Sequence, residues 1–325
     1  MRLLVLGGTH FVGRAVAETA LARGVEVTLL NRGRSRAAAG AELIVADRTD
    51  PEALRSALGN REWDAAIDTW SGAPRVVGEA CGLLDGRAGH FGYVSSRSVY
   101  RWPMPRGADE QAPVVDGDPD EDGDDDYAAA KRGGELAALK AFGDRTLLAR
   151  AGLVLGPYED VGRLPWWLRR IERGGRVLAP GDPARRLQYI DARDLAAWML
   201  TAAADGVVGT FNAVSRPGHT TMGELLQTAV TVTGSDAELI WTAPEVLEEV
   251  GISPWTEMPI WLPDDAEYGG MHNADVSAAH DLGLTCRPVQ DTIADTWTWL
   301  QLEGDPTPRR EIGLAPAKEQ QALNR

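Results

Sequence analysis

Short apolar runs alternate with helix-like segments along about the first 155 residues of the chain. Four of the runs have the length of buried strands, namely LLVLG, VEVTLLN, AELIVAD and WDAAIDTW. The segments between them include two with the spacing of amphipathic helices, RAVAETALARG and PEALRSALG. Because strand–helix–strand repeats are joined by right-handed crossovers, the strands should lie parallel in one sheet with helices on both faces. We therefore predict an α/β fold with a doubly wound parallel sheet, whose ligands bind at the carboxyl ends of the strands.

The regular alternation ends near Gly156 and Pro157, beyond which tryptophans become frequent. Two later segments, QYIDARDLAAWML and GTFNAVS, look like a strand, a helix and a strand that return to the main sheet. We therefore divide the chain into a dinucleotide-binding Rossmann domain, a smaller mixed α/β substrate domain and a tail. The assigned ranges are 1–156 with the returning segment 186–215 for the first, 157–185 and 216–310 for the second, and 311–325 for the tail. The polar stretch from Pro306 onward is expected to fray.

The composition narrows the class of partner and the compartment. A net charge of −15 argues against nucleic acid and against an anionic membrane, although a local basic patch can still bind a phosphate. The only cysteines, Cys81 and Cys286, make no disulfide framework or cysteine-rich metal site, which favours a reducing cytoplasm. No apolar run approaches the roughly 20 residues that span a bilayer. We therefore expect a cytoplasmic protein with a small-molecule substrate, no metal, and no nucleic-acid or membrane partner.

A glycine-rich turn separates the first predicted strand from the first predicted helix. Glycine at such a turn lets backbone N–H groups approach a diphosphate, and the helix N-terminus adds a favourable dipole. His10 in this turn is expected either to contact the phosphate or to cap the helix. The candidate cofactor contacts in the turn are Gly7, Thr9, His10, Phe11, Val12 and Gly13.

The end of the second predicted strand lacks the carboxylate that would hold the ribose hydroxyls of NAD. The sequence there reads LNRGRSR, in which Asn31, Arg32 and Arg34 are candidate cofactor contacts. Because guanidinium groups bind phosphate well, we predict NADP (NADPH) in preference to NAD. The alternative interpretation is a solvated basic loop.

Charged residues also follow the third and fourth predicted strands. Asp47 and Arg48 come after the third strand, where a side chain can touch adenine, and Asp68 ends the fourth, beside the expected cofactor path. Each is a candidate cofactor contact and equally a candidate cap for a turn.

A serine pair and a Tyr-x-x-x-Lys pair follow the fifth predicted strand. The strand runs into SSRSVY, with Ser95 and Ser96, and the next helix-like segment begins YAAAK, with Tyr127 and Lys131. Only three of the 33 basic residues are lysine, so chance rarely places one four positions after a tyrosine. On a helix this spacing puts both side chains on one face, where the ammonium lowers the pKa of the phenol below its usual value near about 10. An acidic phenol and a serine hydroxyl together supply what hydride transfer to a carbonyl requires.

These motifs resemble the short-chain dehydrogenase/reductase superfamily, in particular its extended and atypical branch of NAD(P)-dependent epimerases, dehydratases and reductases. The resemblance covers nearly the whole chain and rests on GGTHFVG, SSRSVY, YAAAK, LLARAGLVLGP and YIDARDLA. It implies that Ser96 polarises the substrate, with Ser95 as a rival, and that Tyr127 is the general acid or base. It also implies that Lys131 holds the nicotinamide ribose while tuning the tyrosine. Homodimers are common in this superfamily, so a homodimer is a possible assembly.

Two departures from the family pattern bear on the function. His10 stands at the central glycine of the usual G-x-x-G-x-x-G turn, as a larger residue does in some atypical members such as chloroplast stem-loop-binding proteins. In sugar-nucleotide epimerases an arginine before the Y-I-H-V segment holds the sugar diphosphate, and here that position is Leu187, beside Arg186. We therefore expect an NADPH-dependent oxidoreductase that reduces a small organic carbonyl or related unsaturated substrate. The alternatives are a nucleotide-sugar epimerase or dehydratase with tightly bound NAD, and a non-catalytic relative that senses NADP or binds RNA.

The remaining unusual features are an acidic run, a group of tryptophans and one histidine. Residues 116–126, DGDPDEDGDDD, are interpreted as a solvated loop that leads into the next helix rather than as a calcium site. His272 is expected at the surface or as a cap. The tryptophans are candidates for an apolar substrate pocket or for plain core, namely Trp166, Trp167, Trp255 and Trp261.

Overall fold

The first part of the chain alternates strands and helices. The structure, a computed structural model, describes residues 1–309 and 311–325, so Arg310, the last residue of the predicted range 216–310, lies outside the described residues. Short 3₁₀ turns occur at Arg97–Val99 and Gly143–Arg145. In chain order the elements are β1 (Arg2–Leu6), α1 (Phe11–Ala22), β2 (Glu26–Asn31), β3 (Glu42–Val45), α2 (Pro51–Leu58), β4 (Trp63–Asp68), α3 (Pro74–Leu84), β5 (Ala88–Ser96), α4 (Tyr127–Phe142) and β6 (Thr146–Ala151).

The second part has shorter strands and builds a second core. Its elements are β7 (Leu153–Leu155), α5 (Arg163–Glu172), β8 (Arg176–Pro180), β9 (Arg186–Leu187), β10 (Tyr189–Asp191), α6 (Ala192–Ala204), β11 (Gly209–Ala213), β12 (Thr220–Thr221), α7 (Met222–Thr233), β13 (Glu238–Thr242), α8 (Pro244–Glu249), α9 (Ser277–Asp281), α10 (Val289–Glu303) and α11 (Pro316–Leu323). Among the described residues, no helix combines the length and the apolar character needed to cross a bilayer.

Seven parallel strands form the main sheet in the spatial order β11-β6-β5-β4-β1-β2-β3. Strand β1 lies between β2 and β4, with Leu3 opposite Val27 on one side and Ala65 on the other. The chain therefore builds outward from β1 to β3, then returns and builds in the other direction from β4. Ligands of such sheets bind at the carboxyl ends of the strands where the direction reverses, here β1 and β4. The predicted doubly wound α/β fold is confirmed.

Helices cover both faces of this sheet because successive strand residues point to opposite sides. Leu3 and Val5 of β1 pack in the core that includes α1 and α6, whereas Leu4 and Leu6 pack in the core that includes α2, α3 and α4. All four side chains are buried, as expected for a parallel strand covered on both faces. This two-sided burial fixes the carboxyl end of β1, where the glycine-rich turn begins.

The segment 186–215 divides between the main sheet and the second part. Strand β11 pairs with β6 at the edge of the main sheet, with Phe211 opposite Ala149, and α6 packs on the same sheet. Strand β9 instead pairs antiparallel with β12, and β10 pairs with β7.

The prediction that the chain frays from Pro306 is wrong for its last turns. Residues Pro316–Leu323 form helix α11, and Leu323 packs into the second core. The buried Glu319 carboxylate accepts hydrogen bonds from Arg170 Nε at 2.7 and 2.8 Å and from the Leu178 backbone N–H at 3.1 Å. The helix was missed because one buried carboxylate with a distant partner anchors an otherwise polar segment.

Some predicted pocket and surface residues belong to the core. Trp167 is fully buried and its indole N–H donates to the Pro259 carbonyl at 2.8 Å, and Trp261 is also buried. Trp166 and Trp255 stay partly exposed.

The surface or capping role expected for His272 is wrong, since its ring is buried and burial lowers its pKa to about 3.

The acidic loop 116–126 packs along α3 and α4. The Glu121 carbonyl accepts the Arg75 N–H at 3.1 Å, and Asp122 pairs with the Arg75 guanidinium. Gly133 of α4 allows this close approach, since a Cβ there would collide with the Asp118 carbonyl oxygen of the loop. Among the described residues, no group of three or more His, Cys, Asp or Glu side chains is placed to hold a metal ion.

Candidate active site

The turn between β1 and α1 is built so that no side chain fills it. Gly7 and Gly8 have φ values of 119° and 88°, in the region that favours glycine. A Cβ at Gly7 would lie 2.8 Å from Thr69 Oγ1, and one at Gly13 would lie 2.7 Å from the Gly8 nitrogen. The turn therefore packs strand, loop and helix backbone closely at the carboxyl edge of the sheet. This backbone cradle fits the diphosphate of a dinucleotide.

His10 and Phe11 occupy the start of α1. His10 is the N-cap residue, but its side chain makes no capping hydrogen bond, and its Nε2 lies 3.0 Å from Ser35 Oγ in the loop after β2. The capping role expected for His10 is thus not observed, and its contact with a phosphate stays a prediction. The Phe11 ring lies in the core with Val12 packed against the same core, which leaves the backbone of both residues for a ligand. Thr9 is partly exposed in the turn itself.

Exposed arginines border the turn at the end of β2. Asn31 accepts a hydrogen bond from the Gly33 N–H at 2.8 Å and donates to the Gly7 carbonyl at 3.4 Å, which ties this loop to the glycine turn. Arg32 and Arg34 are both exposed. Hydrogen bonds from Thr49 lower the pKa of Asp47, and the charges of the two arginines lower it further. The guanidinium groups and the Asp47 carboxylate therefore lie in one region at the ends of β2 and β3.

Arg48 and Asp68 bind each other instead of remaining available for a ligand. Arg48 Nη1 and Nη2 donate to the two carboxylate oxygens of Asp68, each at 2.7 Å. Asp68 is 0% exposed and Arg48 is 7% exposed, so little of either side chain can meet a cofactor. A charge buried this deeply requires a partner, and these two predicted cofactor residues provide it for one another.

The two serines at the end of β5 have different environments. Ser95 is buried and donates to Glu135 Oε1 at 2.7 Å. Ser96 is partly exposed, accepts a hydrogen bond from the Ser98 N–H and donates to the Ser98 hydroxyl, both at 3.1 Å. Ser95 is therefore committed to a buried carboxylate, and Ser96 is the hydroxyl left near the strand end.

Tyr127 is the first residue of α4. The Asp126 carboxylate caps this helix by accepting the N–H groups of Ala128 at 2.9 Å and Ala129 at 3.1 Å, an interaction worth about 1 kcal/mol. The cap fixes where the helix begins and therefore the position of Tyr127. Tyr127 is 47% exposed, so solvent reaches this residue at the start of the helix.

Lys131 lies one helical turn after Tyr127 and is 3% exposed. Its Nζ donates to the Trp70 carbonyl just beyond β4 and to the Val94 carbonyl of β5, each at 2.6 Å. These bonds use two of its three protons and place the ammonium at the carboxyl edge of the sheet, two residues before Ser96 in the strand. Burial lowers the pKa of Lys131 to about 7, against the opposing charge of Asp68.

A buried ion network behind the site was missed in the sequence. Glu135, 0% exposed, accepts hydrogen bonds from Ser95, from Arg150 Nε at 2.9 Å and Nη2 at 3.0 Å, and from Arg132 Nη1 at 2.8 Å. Burial alone would raise the pKa of Glu135, but the hydrogen bonds and charge of Arg150, with those of Ser95 and Arg132, lower it overall. One signal was present, an arginine inside the apolar strand TLLARA, which demands a buried carboxylate.

Two residues beyond β4 connect the glycine turn with the lysine. The Thr69 hydroxyl lies where a Cβ on Gly7 would collide, and the Trp70 carbonyl receives the Lys131 ammonium. The glycine turn and the Lys131 ammonium therefore both contact the same short segment, Thr69 and Trp70. This arrangement can hold an extended dinucleotide at one end and exchange protons with a substrate at the other.

Sequence comparison agrees with this arrangement. The sequence model of the NAD dependent epimerase/dehydratase family matches residues 3–79 and 66–213, which together span more than half of the chain. No protein with a curated description matches the sequence.

Solved structures of the same architecture cover almost the whole chain. The Bordetella bronchiseptica enzyme WbmH, solved with NAD⁺, has a TM-score of 0.71 at 16% identity over 94% of this chain and 99% of its own. The UDP-glucose 4-epimerase of Thermotoga maritima, solved with UDP-glucose, has a TM-score of 0.68 at 17% identity over 94% and 100%. The UDP-glucose 4-epimerase of Thermus thermophilus, solved with NAD, has a TM-score of 0.64 at 20% identity over 93% and 99%. At these identities the likeness shows the shared fold.

Proposed function

Because the chain belongs to the NAD dependent epimerase/dehydratase family, we propose that it is an enzyme of epimerase or dehydratase type that retains NAD and returns it unchanged at the end of each cycle. The observation that carries this proposal is the position of Lys131, whose ammonium donates to Trp70 next to Thr69, the residue that packs against the glycine turn. In an epimerase the carbon that bears the substrate hydroxyl would lose a hydride and regain it on the opposite face. In a dehydratase the hydride would return to another carbon after water has left, so neither reaction consumes a second substrate. The bound dinucleotide supplies the hydride acceptor and donor.

The side chains divide the proton chemistry among them. Tyr127 removes the proton of the substrate hydroxyl as the hydride leaves and, in an epimerase, gives it back when the hydride returns. Ser96 would exchange its hydrogen bond to the Ser98 hydroxyl for one to the same oxygen, and so stabilise the charge that develops there. Lys131 supports the phenolate through its positive charge and has one proton left for the ribose of the dinucleotide.

The substrate pocket departs from that of a sugar-nucleotide enzyme at one position. Leu187 is fully buried, so the site offers no guanidinium where the family pattern places an arginine for the sugar diphosphate. Arg186 beside it is exposed, and its Cδ lies 3.5 Å from where a Cβ on Gly218 would stand. We therefore propose a substrate that carries the reacting hydroxyl without a diphosphate held at this position.

A second candidate function follows from the two arginines after β2. The exposed Arg32 and Arg34 favour a dinucleotide with a 2′-phosphate, and hence an NADPH-dependent reductase of a small carbonyl compound. Such an enzyme would release its cofactor after every turnover.

Cofactor retention separates these two functions. The purified protein is passed through gel filtration, denatured, and its released nucleotide identified by chromatography. The epimerase or dehydratase proposal predicts about one NAD per chain. If the protein emerges free of nucleotide and binds added NADPH reversibly, the epimerase or dehydratase proposal fails and the reductase function is favoured.

Removing one arginine tests the choice of dinucleotide directly. If a 2′-phosphate is bound at the end of β2, Arg32→Ala should weaken NADPH binding by about tenfold or more while leaving NADH binding nearly unchanged, because a charged hydrogen bond to phosphate contributes about 1.5–3 kcal/mol. Calorimetric titration with each nucleotide measures the ratio. Arg23→Ala serves as the control, since Arg23 donates to the Ala197 carbonyl on α6. An unaltered ratio in Arg32→Ala would remove the 2′-phosphate argument and strengthen the case for NAD.

A further inference from the structure

The buried Arg48–Asp68 pair lies next to the catalytic lysine without being part of the cofactor surface. Asp68 Oδ1 accepts the Trp70 backbone N–H at 2.9 Å, in addition to its bonds from Arg48. The Trp70 carbonyl, on the other side of the same residue, accepts the Lys131 ammonium. One tryptophan therefore joins the ion pair to the lysine through its own backbone.

Several further contacts hold Trp70 in place. Its indole N–H donates to the Ala73 carbonyl at 3.0 Å, and its ring faces the Arg48 guanidinium with 5.0 Å between the guanidinium carbon and the ring centre. The Tyr93 hydroxyl donates to the same Trp70 carbonyl at 3.2 Å. Arg48 Nη2 also donates to the Val76 carbonyl at 3.4 Å, which anchors the pair to α3. Loss of Asp68 would release both the Trp70 N–H and the guanidinium beneath the ring.

The Lys131 ammonium is affected by the charges around it as well as by its hydrogen bonds. The negative groups whose charge reaches it are on two different elements, Asp68 at the end of β4 and Glu135 on its own helix, and the Tyr93 ring lies 4.7 Å from Nζ. Two positive groups oppose protonation, Arg48 after β3 and Arg309 from the C-terminal segment. The protonation of Lys131 therefore depends on residues far from it in sequence.

We propose that Asp68 and Arg48 are positioning residues for Lys131, because they fix the Trp70 carbonyl to which the ammonium donates. Their opposite charges also act on the ammonium, in addition to its burial. This inference rests on the proposed function, in which the third proton of Lys131 serves the ribose of the dinucleotide. It assigns to the ion pair a part in cofactor binding without any direct contact with the cofactor.

The test measures how NAD⁺ affinity depends on pH in the full-length protein after removal of copurified nucleotide. In the wild type the affinity should fall as the pH rises through about 7, where Lys131 loses its proton. Asp68→Asn keeps an oxygen for the Trp70 N–H but removes the negative charge. It should move the midpoint of this fall in affinity to lower pH by about one unit. Arg48→Met removes the opposing cation and should move the midpoint to higher pH by about one unit.

A double variant keeps the test informative if a single substitution prevents folding, and a further variant serves as a control. The double variant Asp68→Asn with Arg48→Met removes both charges together and should return the midpoint close to that of the wild type. Asp85→Asn is the matched control, because Asp85 pairs with Arg145 at 2.6 Å at the C-terminal end of α3 and should leave the midpoint unchanged. Midpoints that stay at the wild-type value in the folded Asp68 and Arg48 variants would overturn the inference.

Lys131→Met distinguishes failure of this inference from failure of the proposed function. If Lys131 contacts the ribose, this variant should lose the pH dependence near about 7 altogether. If it keeps the full dependence, the lysine is not at the cofactor and the proposed function fails with it. If it loses the dependence while the ion-pair variants do not shift it, only the positioning role of Asp68 and Arg48 is lost.

Discussion

Replacing Tyr127 with phenylalanine should lower turnover by about 10²–10⁴-fold while leaving the affinity for the dinucleotide nearly unchanged. The hydroxyl is the proposed proton acceptor and donor, and general acid–base catalysis contributes about this factor. The ring remains at the first position of α4, so the helix cap by Asp126 and the contacts of Lys131 should persist. Steady-state rates with a panel of sugar nucleotides and small carbonyl compounds, together with calorimetry using NAD⁺, provide the measurement.

Tyr158→Phe is the matched control for the loss of a tyrosine hydroxyl. The Tyr158 hydroxyl donates to Glu303 at 3.1 Å, and the Arg14 guanidinium lies over its ring, so it sits between α1 and α10. Its loss should leave turnover close to that of the wild type. Equal loss of turnover and dinucleotide affinity in Tyr127→Phe would contradict a proton-transfer role, and unchanged function would favour a non-catalytic relative that senses the nucleotide.

Glu135→Gln should lower the free energy of unfolding at pH 7 by about 3–5 kcal/mol. Removing one member of a buried ion pair leaves the other charge uncompensated, and Arg150 is itself buried. The glutamine would also direct a donor N–H₂ group at guanidinium groups that need an acceptor. Urea denaturation monitored by circular dichroism gives the free energy, and Arg132→Gln is the control, because Arg132 is partly exposed and the Arg150 pair survives its removal.

The effect of Glu135→Gln should depend on pH with a defined sign. The folded pKa of Glu135 is lowered, so its carboxylate contributes stability that is fully present above the unfolded pKa of about 4.3. That contribution is lost as the pH falls through the lower folded pKa. The difference between wild type and variant should therefore narrow in acid below about pH 4, and a difference that stays constant down to the acid transition would mean that the charge of Glu135 is not what stabilises the fold.

The repetitive features of the sequence were sufficient to predict the fold. Alternating apolar runs determined the order of strands and helices, and the early glycines marked the turn between β1 and α1. Both signals are local, since they depend on residues a few positions apart. The same locality explains why Tyr127 and Lys131 could be placed at the start of one helix.

Contacts between distant residues could not be predicted in this way. Arg48 and Asp68 each looked like a cofactor contact, because each follows a strand, and nothing in the sequence showed that they neutralise one another. Choosing between Ser95 and Ser96 required knowing that Glu135 lies beneath the first of them. The burial of His272 likewise depends on Gln188, whose backbone N–H donates to its ring at 3.1 Å from 84 positions away.

The acidic loop has a consequence for how the start of α4 is held. Its contacts described above are with α3 and α4, on the half of the molecule that carries the glycine turn, and it leads directly into Tyr127. The start of α4, and with it Tyr127, is therefore held by contacts within the part of the chain that forms the main sheet. An acidic segment that looks like a solvated linker thus acts as a brace at the start of this helix.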